Sequence, residues 1–133
     1  MVVTYDCLGQ HSFVATDLDA LYQVIRSVAL TRGLITYGDL AVTYASRTGA
    51  PPPVEHAGWD DALREINRRL FKADPKAPSI TAVVVYRPQE PEPPIAFWGS
   101  SPNVPARPRW ASDVMWSRIV EEVHGYDWPP ALP

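Results

Sequence analysis

Residues 57–87 read AGWDDALREINRRLFKADPKAPSITAVVVYR, and the fold class turns on them. Trp59, Leu63, Ile66 and Leu70 recur at i, i+4, i+7 and i+11, one apolar stripe of an amphipathic helix over 57–73. Asp74-Pro75 closes it, because proline lacks the amide proton and excludes the helical region for the residue before it. The next run, Ser79 to Arg87, is apolar at consecutive positions. That pattern predicts a short strand buried on both faces. A long helix followed at once by a buried strand points to an α+β domain.

Working outward, Ile95-Ala96-Phe97-Trp98 reads as a second short strand ending at Gly99. A helix over 113–124 follows, with Ser112 as its cap and Met115, Trp116, Ile119, Val120 and Val123 as its apolar positions. Upstream, Thr36 caps a helix over 37–46 with Asp39 three residues on, and Leu40, Ala41 and Tyr44 turned inward. A helix over 17–31 carries Leu18, Leu21, Val24, Ile25 and Val28, with Thr16 as its cap and Asp19 in the capping-box position. Arg32-Gly33 suits its end. The β-prone runs Val2–Tyr5 and His11–Val14, with Gly9 between, predict a hairpin. The expected architecture is about four helices with a small sheet.

The chain has 133 residues, enough for one core and too few for two, so a single domain over 1–133 is expected. Its 15 prolines are about twice ordinary usage and gather in the connections 48–56, 88–94 and 102–109 and in a short tail, 129–133. One cysteine, Cys7, excludes an internal disulfide and a cysteine-based zinc site. Three scattered histidines suggest no other metal site, and no cofactor motif is present. No apolar run reaches the roughly 20 residues that span a bilayer, and the N-terminus lacks a leader pattern. A cytoplasmic location without a membrane partner is the expectation. The net charge of −3 gives no global pull towards nucleic acid, so such a function must rest on a local patch.

The stretch Leu34-Ile35-Thr36-Tyr37-Gly38-Asp39-Leu40-Ala41 resembles the TYG-[DE]-LA helix start of the C-terminal domain of O6-alkylguanine-DNA alkyltransferases and their alkyltransferase-like relatives. His56–Leu63 stands where that family has its ARAVG-x-A-[LM] helix, Pro78–Val85 where it has the apolar Pro-Cys-His-Arg segment, and Phe97-Trp98-Gly99 where it has a glycine-aromatic segment. The resemblance covers roughly residues 20–100, and only TYGDLA is specific in its letters. It implies a winged-helix-like middle, with helix 57–73 on the DNA side and Tyr37 near a flipped nucleotide. It also implies what is missing. The nucleophilic cysteine falls near Val83, its activating histidine near Val84 and the DNA-probing arginine near Ala57. A cysteine nucleophile needs a thiolate and a neighbouring base, and valine supplies neither.

On helix 57–73, Arg64, Arg68 and Lys72 share one face, with Arg69 and Lys76 nearby. Tyr37, Arg64, Arg68 and Lys72 are therefore candidate nucleic-acid contacts. The same pattern also describes a solvated helix face whose acids precede its bases. Asp60-Asp61 and Glu121-Glu122 point about 100° apart on a helix and offer no acid/base pair. The aromatics Trp98, Trp110, Trp116, Tyr126 and Trp128 make either a satellite core beneath long loops or an exposed partner-binding surface, for which Trp98, Trp110 and Trp128 are the candidates. Two functions are expected: a non-catalytic alkyltransferase-like module that binds nucleic acid weakly, or a protein-interaction module, a phage or host modulator, acting through the tryptophan-rich C-terminal third. An enzyme whose site assembles from distant polar residues is a weaker third.

Overall fold

The computed structural model describes residues 4–6, 12–14, 16–49, 56–87 and 92–133. The readings that rest on Cys7, Gly9, His11 and Pro51–Pro53 lie outside them. Among the described residues the chain is α+β, as the helix–strand alternation implies. Strands β1 (Thr4–Asp6) and β2 (Ser12–Val14) form the antiparallel hairpin, in the register Thr4↔Val14, Tyr5↔Phe13 and Asp6↔Ser12.

Helix α1 spans Leu18–Leu30 and is capped by Asp17, one residue later than the Thr16 expected. The Asp17 carboxylate accepts from the Ala20 amide at 3.1 Å, and this bond holds its pKa below the ordinary value. Its own amide donates to the Tyr44 hydroxyl at 2.9 Å, so the cap also ties α1 to the next helix. The helix ends through Arg32 in the left-handed region (φ 56°), with the Gly33 amide reaching back to the Val28 carbonyl.

A two-residue strand, β3 (Ile35–Thr36), leads directly into α2 (Tyr37–Thr48). Thr36 caps α2 as predicted, its hydroxyl accepting from the Asp39 amide. The helix runs two residues past the expected end, to Thr48, and is capped by Gly49, whose φ of 71° is cheap only for glycine. Helix α3 (His56–Ala73) buries Trp59, Leu63, Ile66 and Leu70 as its spacing requires.

The run after α3 departs from expectation. In place of a strand over 79–87, Ile80–Val83 form a 3₁₀ turn and only Val84–Val85 form a strand, β4, parallel to β3 with Ile35↔Val84 and Thr36↔Val85. Both faces are buried as the apolar run demands, but a strand also needs a partner edge, and β3 offers two residues. The preceding residues curl instead, which leaves the Ala82 carbonyl to accept from the Trp116 indole at 2.8 Å. Ile95–Phe97 is likewise a 3₁₀ turn rather than a strand, opened by Pro94.

Helix α4 (Ser112–Gly125) starts after Ala111 in the left-handed region, with no side-chain cap where Ser112 was expected to serve. It packs on the 3₁₀ turn at 80–83. Its inner face is Trp116, Ile119, Val120 and Val123, whereas Met115, expected inside, is 37% exposed. The prolines that follow do not make a loose tail. Tyr22 donates to the Pro129 carbonyl and Gln23 to that of Pro130, both at 2.6 Å, and the Leu132 amide donates to Asp19. Trp128 inserts beneath this strap, its indole N–H on the Val123 carbonyl at 2.8 Å. The buried cluster runs from Leu21 in α1 to Trp128.

Two phenols of this strap region titrate late. Burial pushes Tyr22 up to about 12, and the hydrogen bond that Tyr126 donates to Asp74 raises Tyr126 to about 12. Folding favours the neutral phenol in both. Stability should therefore hold below about pH 10 and fall as pH rises towards 12. Urea midpoints measured across that window should decline, and Tyr22→Phe should flatten the decline. A midpoint constant up to pH 12 would contradict the strap's role.

Candidate functional site

Five elements meet at a small cavity of about 20 Å³, enough for one water-sized group. The first turn of α2 brings Tyr37; α3 brings Asp60, Leu63, Arg64 and Asn67; the 3₁₀ turn and β4 bring Thr81 and Val84; the segment around the second 3₁₀ turn brings Phe97 and Ser100. Capping by Thr36 starts α2 at Tyr37 and so fixes where that ring stands. Its hydroxyl donates to Asp60 at 2.8 Å, and its ring lies tilted against Tyr86 with centroids 5.5 Å apart. Burial first, and then the bond to Asp60, raises the Tyr37 pKa well above its ordinary value. In this arrangement the Tyr37 hydroxyl is a hydrogen-bond donor to Asp60.

The cavity's inner wall is polar. Asn67 is 2% exposed and donates to the Thr81 hydroxyl at 2.7 Å, with the Ser79 hydroxyl 3.3 Å further along. The other end of the amide, Asn67 Oδ1, and the Ser100 hydroxyl are buried without a hydrogen-bond partner among the described residues. Buried polar atoms left unmatched cost about 1–3 kcal/mol each, so a pair on one cavity marks a place that accommodates an external hydrogen-bonding group. The Thr81 hydroxyl has an amide and a second hydroxyl as neighbours, and neither neutral group can take its proton. Val83 and Val84 are fully buried.

Of the predicted nucleic-acid contacts, Tyr37 and Arg64 line this cavity, but Tyr37 is a core residue only 4% exposed, with its hydroxyl engaged by Asp60; Arg68 and Lys72 lie further along α3. The arginines are engaged. Arg64 pairs with Asp61 at 3.1 Å; Arg68 forms a two-pronged bridge to Glu65 at 2.7 and 2.6 Å; and Arg69 meets the same carboxylate at 2.9 Å. The bonds from Arg68 and Arg69 pull Glu65 down to about 2. The cationic face is therefore largely neutralised by its own helix. The Arg64–Asp61 pair, 50% and 82% exposed, is weak enough for an incoming anion to displace.

The tryptophans divide. Trp110 is 84% exposed, and Trp98 is half-buried edge-on to Phe97. Trp128 is 2% exposed, so this predicted partner-binding residue belongs to the core. Its indole donates to the Val123 carbonyl, and its own carbonyl accepts from Arg26. Among the described residues there is no group of three His, Cys, Asp or Glu side chains placed to hold a metal ion. No described helix is long and apolar enough to cross a membrane.

Asn67, Thr81 and Ser100 were not singled out from the sequence. Asn67 did carry a signal: it follows Leu63 by four residues, so it falls on the buried stripe. Thr81 is likewise a polar residue within an apolar run. Ser100 carried none. Comparison with protein-family models, with curated proteins and with solved structures finds no match for this chain.

Proposed function

We propose that the chain is a non-catalytic, alkyltransferase-like module that binds nucleic acid weakly through the exposed face of α3. The observation that carries the reading is that one residue, Arg64, belongs both to the cationic helix face and to the rim of a cavity with unmatched buried hydrogen-bonding atoms. A phosphate drawn to the helix would lie beside a place that takes a polar group. The resemblance of Thr36–Ala41 to the alkyltransferase helix start supports the same placement of Tyr37. Four cations on α3 against three carboxylates leave little net charge, so the expected affinity is low and strongly salt-dependent.

Glu65 supplies the test. Glu65→Gln releases Arg68 and Arg69 and should raise affinity for duplex and single-stranded oligonucleotides several-fold at low salt. Arg64→Ala/Arg68→Ala/Lys72→Ala should lower it and reduce the salt slope by about one unit per lost phosphate contact. Binding that neither variant alters would remove α3 from the interface.

The module is expected to transfer no alkyl group. Val83 and Val84 stand where the resemblance puts the acceptor and its base, and the nearby Thr81 hydroxyl has no base beside it. Incubation with a labelled O6-benzylguanine probe should leave the protein mass unchanged. Stoichiometric labelling at any residue would refute this.

The second reading is a protein-interaction module acting through the C-terminal third. It is favoured by Trp110, which together with Val114 and Met115 leaves apolar surface exposed at the start of α4.

A further inference from the structure

We propose that the exposed Arg107-Pro108-Arg109-Trp110 segment is a stacking platform for single-stranded nucleic acid. The proposal rests on the nucleic-acid reading above and names the form of the ligand. Trp59, Trp116 and Trp128 are buried, whereas Trp110 stands almost wholly in solvent. Arg107 and Arg109 precede it in the chain, both exposed, and neither forms an ion pair or side-chain hydrogen bond among the described residues. The arginines of α3 are held by Asp61 and Glu65, so Arg107 and Arg109 are more available than they are. Residues 93–112 contain no carboxylate at all, in a chain that is net acidic. Arg107 and Arg109 are the charged side chains within this stretch, and Glu92 and Asp113 stand just outside.

The segment is held at both ends. The Gly99 amide donates to the Pro105 carbonyl at 3.0 Å, Val104 is buried, and Asn103 donates to the Ala77 carbonyl. On the far side, Trp116 anchors α4 in the core. Pro105 and Pro108 fix φ between those anchors, which lowers the entropy lost when the segment is ordered against a ligand. An exposed indole with two unpaired arginines in the three residues before it offers a ring for a base and cations for neighbouring phosphates. The bases of a duplex already stack on each other, so the ring selects unpaired strands. An acidic peptide would satisfy the charges but leave the indole face without a stacking partner.

The test uses the full chain, labelled oligo-dT, a duplex of equal length and labelled poly-glutamate. Trp110→Ala should lower oligo-dT affinity about tenfold or more, and Trp110→Phe should retain most of it. Arg107→Ala/Arg109→Ala should reduce the single-strand salt slope by about 1.4 units. All three variants should keep the wild-type melting temperature, because these side chains are exposed. If Trp110→Ala binds oligo-dT like wild type while the α3 variants lose it, the platform is refuted and the α3 reading stands. Wild-type binding to duplex but not to oligo-dT also refutes the platform alone. Trp110-dependent binding to poly-glutamate without binding to oligo-dT reassigns the surface to an acidic protein partner. A wild type that binds no nucleic acid at low salt overturns both proposals.

Discussion

A chain ended at Ala111 should lose its cooperative thermal transition. The truncation removes Trp116, Val123 and Trp128, all buried, and withdraws the indole that satisfies the Ala82 carbonyl. It also uncovers the inner faces of α1 and of the 3₁₀ turn at 80–83, which are otherwise covered by α4 and the strap. Loss of one buried large aromatic typically costs about 3–5 kcal/mol. Two such losses, together with an unmatched buried carbonyl, approach or exceed the whole stability of a small domain, about 5–15 kcal/mol. Circular dichroism should show residual helix without a sigmoidal melt. A cooperative transition near the full-length melting temperature would show that α4 is an appendage.

The second large effect separates two tryptophans eighteen positions apart. Trp128→Ala should destabilise by about 3–5 kcal/mol, because it empties a site closed by the Tyr126 ring at 4.4 Å and removes the indole donor to the Val123 carbonyl. Trp110→Ala should stay within about 0.5 kcal/mol of wild type, as surface substitutions usually do. Urea midpoints of the two variants read this directly. Equal losses would mean that Trp110 is packed, which would also remove the stacking platform.

That contrast marks where the sequence was legible. Trp110 and Trp128 look alike in one dimension, since each lies among prolines. What separates them is long-range: Tyr22 and Gln23, more than a hundred residues away, pin the carbonyls of Pro129 and Pro130 and carry Trp128 inward. Proline still has a carbonyl to offer, and reading it only as a missing donor concealed the strap. Helix α3 was legible because four apolar residues keep helical spacing, and α2 because Thr36 and Asp39 mark its first turn. The run at 79–87 was legible as buried but not as to its form, because periodicity cannot count the partner edge available to it. Within the site, Tyr37 and Arg64 could be named from the sequence. The polar wall of Asn67, Thr81 and Ser100 could not, because it exists only where α3, the 3₁₀ turn and the loop after Phe97 converge.

The most direct test of the central claim is equilibrium binding of the wild-type chain to labelled single-stranded and duplex oligonucleotides, followed as a function of salt. Weak binding at low salt is expected, tighter to the single strand, with log K falling linearly as log salt rises. Affinity that is insensitive to salt, or no binding to either strand form at low salt, would contradict it.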